Sequence, residues 1–320
     1  MKKRFILLLL SLMIFTTNFI CLAEETYDLS FNLQEGSKYD LEMESRSSIN
    51  QEIMDQSMEM GQTMNATYTY FIKDCTNQDI YKIDFTMGKM KFDFTNFKVT
   101  GSSEELDLDS LNEEMDYLND IMADVTIEME MDKYGDVRSI NGLQEYMQDM
   151  YKHVMENSDD PEAVVAYQNM SSQFNEDMMK QSLSQYSAFI PQRAVAVGEK
   201  WTTEINLQQG FPLEMSVDYT LDSVTADEFI ISFEGSLSNI GDIASMLGLG
   251  DMEFDIDMNI ETDYSGIVYL DRETRWYNKM ELMMNMDGYF TMKIPVDEEG
   301  NIQELKVPMS AISNILLKSN

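Results

Sequence analysis

Apolar and polar residues alternate along several long stretches of the chain. In Met54–Ile72 the apolar residues occupy even positions, and most odd positions carry Asp, Ser, Glu, Thr or Asn. Met252–Ile260 repeats the pattern, and in Trp276–Ile294 every even position is apolar except Asn278 and Gly288. A period of two residues is typical of a β-strand with one dry face and one wet face. Strands of a parallel sheet, buried on both faces, show continuous apolar runs instead. The alternation therefore predicts antiparallel strands.

The alternating stretches are unusually long. Several exceed ten residues, whereas an ordinary strand has roughly five or six. Long strands that are dry on one face suit a strongly curved sheet. We predict a mainly β fold of the β-rich α+β class, built on a curved antiparallel sheet or half-barrel.

The middle of the chain changes to a helical period. Its apolar residues follow the spacing of an amphipathic helix over 143–156: Leu143, Tyr146, Met147, Met150 and Val154. A second helix is predicted from Pro161, a residue suited to a first helical turn, to about Tyr186. We expect these helices to pack on the concave face of the sheet. Further helices are predicted near Leu111–Met122 and after Pro308.

The first residues have the layout of a secretory signal peptide. Basic residues 2–4 precede an apolar stretch over Phe5–Phe15, and Cys21 and Ala23 supply the small residues read at cleavage. The apolar stretch is shorter than the roughly 20 residues of a membrane-spanning helix. We therefore predict an exported protein, periplasmic or extracellular, that is cleaved after Ala23.

Cys21 leaves a second interpretation. Bacterial lipoproteins are cleaved before a cysteine that carries the lipid, but their motif has a small residue before that cysteine, and Ile20 stands there. Cleavage after Ala23 satisfies the small-residue rule, so a lipid-anchored envelope protein is the less favoured alternative. Later segments do not reach transmembrane length, and we expect no transmembrane segment.

The β-rich segments on either side of the helical segment are alike. Residues 36–39, Gly-Ser-Lys-Tyr, open a strand as residues 198–201, Gly-Glu-Lys-Trp, do, and residues 131–137 match residues 270–276 as a hairpin. Such repetition indicates two related β halves. The predicted organisation has four parts: a signal peptide over 1–23, a first antiparallel β half over 24–142, a helical segment over 143–190 and a second antiparallel β half over 191–320.

The charge balance is strongly acidic. The chain has 58 Asp and Glu residues against 22 Lys and Arg residues, a formal net charge of −36. Phosphate binding depends on Lys and Arg, so the balance argues against nucleic acid as a partner and against anionic membrane surfaces. A hydrophobic content of 43% separates the chain from acidic disordered proteins. We interpret the negative charge as a property that keeps the protein soluble outside the cytoplasm.

The sequence lacks the usual signatures of catalysis. His153 is the single histidine, which excludes a histidine-based triad or a multi-histidine metal site within one chain. Cys75 lies in a turn signal without an adjacent base, and no glycine-rich phosphate loop is present. We predict a protein that is not an enzyme and has no cofactor. A hydrolase that uses carboxylates ranks behind the binding and structural alternatives.

Carboxylates and methionines raise the question of a metal site. Glu253, Asp255, Asp257 and Glu261 share the wet face of one predicted strand, where Ca²⁺ would bridge them, but a solvated face is the preferred interpretation. The chain has 29 methionines, and thioethers bind Cu(I). Most of them keep the apolar parity of their strands, which cation ligands have no need to do. They are interpreted as core or as an adaptable apolar pocket, and no metal site is predicted.

Two motifs carry a resemblance to a known family. Phe31-x-Leu33-x-x-Gly36-x-Lys38-Tyr39 opens the first half. Pro191-x-x-x-Val195-x-Val197-Gly198-Glu199-x-Trp201, followed by Gly210-Phe211-Pro212, opens the second. With these motifs the chain resembles an uncharacterised family, a domain of unknown function, of secreted proteins and lipoproteins mainly from Bacteroidota and related bacteria. The resemblance implies export and a bacterial source, and it implies no catalytic residues.

The choice of methionine at many apolar positions suggests a function. Leu and Val would pack a helix–sheet seam to crystal-like density, whereas Met tolerates repacking around a guest. We expect an apolar cavity of roughly a few hundred cubic ångströms there, lined by residues such as Tyr68, Phe174 and Phe290 and holding a lipid or an acyl chain. The alternative is a structural or protein-partner-binding envelope protein with a filled core and no small-molecule ligand.

Cleavage at the small residues gives the first prediction. Because Cys21 and Ala23 satisfy the peptidase rule, the mature protein should begin at Glu24. Mass spectrometry of the N-terminal peptide checks this, and a peptide that starts at a lipid-modified Cys21 would contradict it.

Overall fold

Strands dominate the chain. The computed structural model describes residues 25–53, 56–77, 79–100, 123–148, 175–206, 213–239, 255–295 and 302–319, with 108–109, 112–113, 115–116 and 152. The strands are β1 (Thr26–Tyr27), β2 (Lys38–Ile53), β3 (Gln56–Asn77), β4 (Ile80–Met87), β5 (Lys91–Val99), β6 (Val125–Asp132), β7 (Val137–Asn141), β8 (Val195–Ala196), β9 (Lys200–Asn206), β10 (Leu213–Val224), β11 (Glu228–Asn239), β12 (Asp255–Asp271), β13 (Tyr277–Pro295) and β14 (Ile302–Ser319). Helix α1 (Glu176–Gln185) lies between β7 and β8, and residues 143–148 are also helical.

Twelve strands form one open antiparallel sheet. Its order is β7-β6-β4-β3-β2-β14-β13-β12-β11-β10-β9. β5 pairs with β3 beyond the end of β4, and β1 and β8 form a separate two-stranded sheet. The mainly β, antiparallel fold predicted from the alternation is confirmed. The strands are as long as predicted, with 22 residues in β3 and 19 in β13.

The predicted parity places the apolar side chains on one face, here called the inner face. In β3, Ala66, Tyr70 and Ile72 are buried, whereas their odd-numbered neighbours 65, 67 and 71 are exposed. In β13 the parity holds from Met280 to Met286 and then weakens, since the odd-numbered Thr291 is also buried. Of the stretch Met252–Ile260, residues 252–254 lie outside the described residues.

The predicted helix after Pro308 is wrong, because these residues belong to β14. Apolar side chains at Ile312, Ile315 and Leu316 imitate a helical spacing, but Ile312 is 52% exposed. Ser313 points to the inner face, as Ala311 and Leu317 do. Because serine is polar, it interrupts the apolar alternation by which a strand is recognised in the sequence. β14 pairs with β13 on one side and with β2 on the other, and pairing with β2 begins only at Met309. At Pro308 the strand has no partner residue in β2. The N–H group that proline lacks is therefore not needed on that side of β14.

The two edges of the sheet, β7 and β9, meet across one short segment. The Ser187 hydroxyl donates to Gly135 O, beside β7, at 2.9 Å. On the other side, the Thr203 hydroxyl of β9 donates to Ala188 O at 3.1 Å. Ser187 and Ala188 are neighbours, and their Cα atoms lie only about 3.8 Å apart. The sheet is therefore curled so strongly that one segment lies between its two edges. We call Ser184–Ile190 the bridging segment.

Further hydrogen bonds fix the bridging segment on both sides. The Val137 N–H of β7 donates to Ser184 Oγ at 3.0 Å. The indole of Trp201, in β9, donates to Phe189 O at 3.0 Å. The sheet is not closed into a barrel by strand pairing, yet side-chain hydrogen bonds hold its edges together.

The segment 28–34 covers one end of the curled sheet. Leu29, Phe31 and Leu33 alternate as in a strand and are all buried. Phe31 N donates to Lys133 O in the β6–β7 turn, and Asn32 N donates to Thr274 O in the β12–β13 turn, both at 2.8 Å. One short segment thus ties together turns from the first and the second half of the chain.

Gly36 and Gly198, which the sequence comparison paired, hold equivalent places. Their φ angles are 79° and 84°, a left-handed conformation that suits glycine because it lacks a Cβ. The N–H of Gly36 donates to Ile72 O at 2.8 Å, and that of Gly198 donates to Leu221 O at 2.7 Å. Each glycine therefore fastens the chain just before its strand, β2 or β9, to the neighbouring strand, β3 or β10.

The two matched hairpins are also built alike. Asp132 Oδ1 accepts two backbone N–H groups of its own turn at 2.9 and 3.1 Å, and Asp271 Oδ1 accepts two at 3.0 and 2.7 Å. These are Asx-type turns. The residue after each Asp donates its N–H to a neighbouring turn, Lys133 to Asp79 O and Arg272 to Asp227 O. The two hairpins thus share the Asx-type turn and the bond to a neighbouring turn, but the second N–H group that each carboxylate accepts comes from a different position, Asp136 in one hairpin and Thr274 in the other.

The helix predictions are tested only in part. α1 ends at Gln185, where the second predicted helix was expected to end, and residues 143–148, 112–113 and 115–116 are helical. The signal peptide, His153 and most of 149–174 lie outside the described residues. In the part of the chain that is described, the helices are too short or too polar to cross a membrane.

Tyr81 gives a stability prediction. Its buried hydroxyl donates to Phe31 O at 2.8 Å and accepts from Leu33 N at 3.3 Å. Tyr81→Phe leaves both buried backbone groups unpaired, so the free energy of unfolding should fall by about 1–3 kcal/mol, measured by urea denaturation. The control is Tyr269→Phe on the outer face of β12, which should change it by less than about 0.5 kcal/mol. Equal losses in the two variants would contradict the role of Tyr81.

Candidate functional site

A cavity of about 390 Å³ lies between α1 and the inner face of the sheet. Four residues of α1 line one side, and residues of β2, β3, β4, β6, β7, β13 and β14 line the other. The lining residues are Phe31, Leu41, Tyr68, Tyr70, Phe85, Met87, Met90, Met129, Met131, Val137, Met178, Met179, Ser182, Leu183, Tyr186, Ser187, Trp276, Tyr277 and Leu317. This is the kind of cavity that the methionine content predicted.

Local sequence explains why α1 forms beside the sheet. Asn175 caps the helix, since its Oδ1 accepts the Met178 N–H at 2.9 Å. Acidic residues at 176 and 177 suit the positive end of the helix dipole. Met179 and Leu183 lie four residues apart and therefore share the side of the helix that faces the sheet. Met179 is buried, and Leu183 is half-buried.

Methionine and aromatic side chains make most of the wall. The six methionines are Met87, Met90, Met129, Met131, Met178 and Met179. A thioether side chain is unbranched and flexible, so it adapts to the shape of its neighbours. The aromatic side of the wall is ordered by ring contacts, with the Tyr70 ring 4.9 Å from the rings of both Phe85 and Trp276. The wall thus combines adaptable thioethers with rings that are held by their neighbours.

The wall carries no charged side chain among the residues that are described. Its polar groups are serine and tyrosine hydroxyls and one indole. Burial raises the pKa of the Tyr68 and Tyr70 phenols far above the usual range, and the nearby Tyr186 phenol raises it further. The phenols therefore stay protonated at neutral pH. Tyr277 donates to Tyr186 O at 2.5 Å, which fastens the bridging segment to the wall.

Trp276 holds an unpaired donor in this wall. Its side chain is 3% exposed, and its Nε1 has no hydrogen-bond partner within the described residues. The second tryptophan differs, because Trp201 Nε1 donates to Phe189 O at 3.0 Å. A buried donor without an acceptor costs about 1–3 kcal/mol, and Nε1 is covered by neighbouring atoms, so this cost belongs to the packing of the wall.

The three predicted site residues fall in different places. Tyr68 lines the cavity, and Phe174 lies outside the described residues. Phe290 has the inner parity but pairs with Met258 and Val307 on a part of β13 that does not line the cavity. Sequence reasoning did not select Trp276 or Tyr186. The alternation over Trp276–Ile294 predicted that the Trp276 side chain is on the dry face of the sheet. It did not predict which residues that side chain contacts.

The carboxylates and methionines that the sequence raised as metal ligands are described only in part, since Glu253 and the side chains of Asp255 and Asp257 lie outside the described residues. Within the described residues no cluster of three or more His, Cys, Asp or Glu side chains is arranged to hold a metal. Met58, Met60 and Met64 are half-buried on the inner face of β3, and Glu261 is exposed. Cys75, expected in a turn, is half-buried near the irregular end of β3.

Comparison with known proteins gives a family and no activity. The sequence model of a family of unknown function (DUF6263) matches residues 78–277, more than half of the chain. The matched range includes α1, the bridging segment and Trp276. A search of curated proteins found no match. The result agrees with the resemblance to an uncharacterised family.

The buried phenols give a prediction about alkaline pH. The pKa of Tyr70 is raised in the folded state above about 10 in the unfolded chain, so its contribution to stability is complete below pH 10 and is lost as the pH rises further. Tyr70→Phe should therefore flatten the fall of unfolding free energy with pH by up to about 1.4 kcal/mol per pH unit. Urea denaturation between pH 8 and pH 11.5 measures the slope, and parallel curves for the two proteins would contradict the prediction.

Proposed function

We propose that this chain, which belongs to a family of unknown function (DUF6263), holds an apolar small molecule such as a lipid or an acyl chain. The supporting observation is the cavity of about 390 Å³ between α1 and the sheet. Ligand sites in proteins usually measure about 300–1,000 Å³ and are lined mostly by apolar and aromatic side chains. An apolar cavity of about 150 Å³ already accepts benzene, so this one has room for a larger guest.

The composition of the wall supports binding more than catalysis. Acid–base catalysis needs a titratable group with a suitable pKa within hydrogen-bond reach of the substrate. Among the described residues the wall offers tyrosine phenols with raised pKa values and two serines, and the Ser187 hydroxyl is already donated to Gly135 O. We therefore propose a non-enzymatic binding protein.

We also propose that the protein is exported to the cell envelope of a bacterium, in the periplasm or outside the cell. The layout of residues 1–23 and the acidic balance of the chain support this. A lipid anchor on Cys21 is the less favoured form of the same proposal. The resemblance to secreted proteins and lipoproteins, mainly from Bacteroidota, supports the same location.

One observation favours the alternative, a structural or partner-binding envelope protein. On the outer face of the sheet, Met283 is 45% exposed and Ile312 is 52% exposed. They lie on adjacent strands, since Met283 pairs with Asn314 and Ile312 pairs with Asn285. Apolar side chains that are neighbours on an open sheet face suit contact with another protein.

Filling the cavity tests ligand binding. N-phenyl-1-naphthylamine, a neutral apolar probe whose fluorescence rises outside water, should bind the purified protein. Leu183→Trp adds bulk to a cavity-lining position of α1 and should weaken probe binding at least about tenfold, because the guest and the new ring compete for the same volume.

Met283→Trp is the matched control, since it places the same ring on the outer face, where probe affinity should not change. Equal affinity in the Leu183→Trp variant and the wild type would show that the probe binds elsewhere. Mass spectrometry of an organic extract of the native protein separates the two functions. Recovery of a stoichiometric lipid supports ligand binding, whereas a lipid-free protein favours the structural alternative.

A further inference from the structure

We propose that the guest of the cavity is a single-chain amphipathic molecule, with an apolar chain of up to about sixteen carbons inside and its polar head at an opening beside Tyr186. The inference rests on the proposed function and narrows its ligand class. Lipids with one chain belong to this class. Lipids with two long chains do not.

The first observation is the size of the cavity. An apolar cavity of about 150 Å³ accepts benzene, a molecule of six carbons. At the same filling, the volume of about 390 Å³ holds roughly sixteen carbons. One long acyl chain therefore fills the space. A membrane phospholipid carries two such chains, and its second chain has no room.

The second observation is that the cavity is closed on the side of the sheet. Phe85, Met129 and Leu317 line it from β4, β6 and β14, and all three side chains are buried. They are apolar and offer no hydrogen bond. A polar head placed against them would lose its contacts with water without compensation, which is unfavourable. The apolar chain of an amphipathic guest therefore lies against these residues.

The third observation is an opening at the C-terminal end of α1. Tyr186 lines the cavity and is nevertheless 37% exposed, and the lining residue Ser182, one turn earlier, is exposed as well. A residue that both lines a cavity and faces solvent lies where the two meet. The Tyr186 hydroxyl donates to Met43 Sδ of β2 at 3.9 Å, so its side chain reaches from the end of α1 to the sheet. Hydroxyl groups and water are thus available to a polar head at this opening.

The first test is a chain-length series. Lysophosphatidylcholines with saturated chains of 8 to 20 carbons compete with N-phenyl-1-naphthylamine for the purified protein, each at concentrations below micelle formation. Each methylene group that becomes buried should lower the dissociation constant roughly fourfold. This gain should end at about sixteen carbons, where the cavity is full. Affinity that rises without a break through the whole series would overturn the size limit.

Leu183→Trp and Met283→Trp are the matched variants for this series. Leu183 lines the cavity, whereas Met283 is exposed on the outer face. The larger Trp side chain takes up part of the cavity in Leu183→Trp, so the gain should end roughly two to six carbons earlier than in the wild type. Met283→Trp should leave that chain length unchanged. The same limit in all three proteins would show that the cavity does not set it.

The second test concerns the head group. Tetradecyl maltoside and tetradecanoyl lysophosphatidylcholine carry different bulky heads on chains of equal length. If the head stays at the opening beside Tyr186, their dissociation constants should agree within about tenfold, which is less than the effect of two methylene groups. Loss of binding with either head would show that the head has to fit inside the cavity, and it would overturn the assigned orientation.

The lipid extracted from the native protein gives an independent result. A stoichiometric lipid with one chain supports the inference, whereas a stoichiometric lipid with two long chains would overturn it and leave the proposed function standing. This measurement and the wild-type series remain decisive if Leu183→Trp does not fold. Failure of the probe and of every lysophosphatidylcholine to bind would overturn the proposed function itself and this inference with it.

Discussion

Two neighbouring residues, Ser187 and Ala188, form hydrogen bonds with opposite sides of the same sheet, and the rest of the structure depends on this link. An open sheet leaves unpaired N–H and C=O groups along both edges, where another chain can pair. Here the bridging segment bonds beside β7 through Ser187 and to β9 through Ala188. It holds the curl of the sheet.

The cavity follows from what fills the gap. A further strand would pair with both edges and close a barrel, whose interior side chains then fill the centre. A helix has its hydrogen bonds within itself and touches the sheet only through side chains. Because α1 meets the wall with Met178, Met179 and Leu183, the distance between helix and sheet is set by flexible side chains. Space remains where neither rings nor thioethers meet.

Charge is divided sharply between the two sides of this structure. Alternation places acidic residues such as Glu128 on the outer face and Ile127 and Met129 on the inner face of the same strand. The described wall of the cavity carries no charge, although the chain as a whole is strongly acidic. The polar groups of the described wall are serine and tyrosine hydroxyls and one indole, all of them neutral.

Local periodicity by itself determined the strands, their inner side chains and the end of α1. The two-residue period of Met54–Ile72 predicted which side chains of β3 are buried, Tyr68 in the cavity wall included, because each side chain depends only on its parity. Parity does not say how far along the sheet a residue lies, so Phe290 was assigned to a cavity that it does not line. It also failed after Pro308, where Ser313 interrupts the apolar pattern and only pairing with β2 and β13 makes a strand.

The tertiary structure alone decided two features: the meeting of β7 and β9, and the unpaired indole of Trp276 beside Tyr70. The meeting of the two edges results from twist summed over eleven paired strands, and a sum over distant parts of the chain leaves no signal in any one segment.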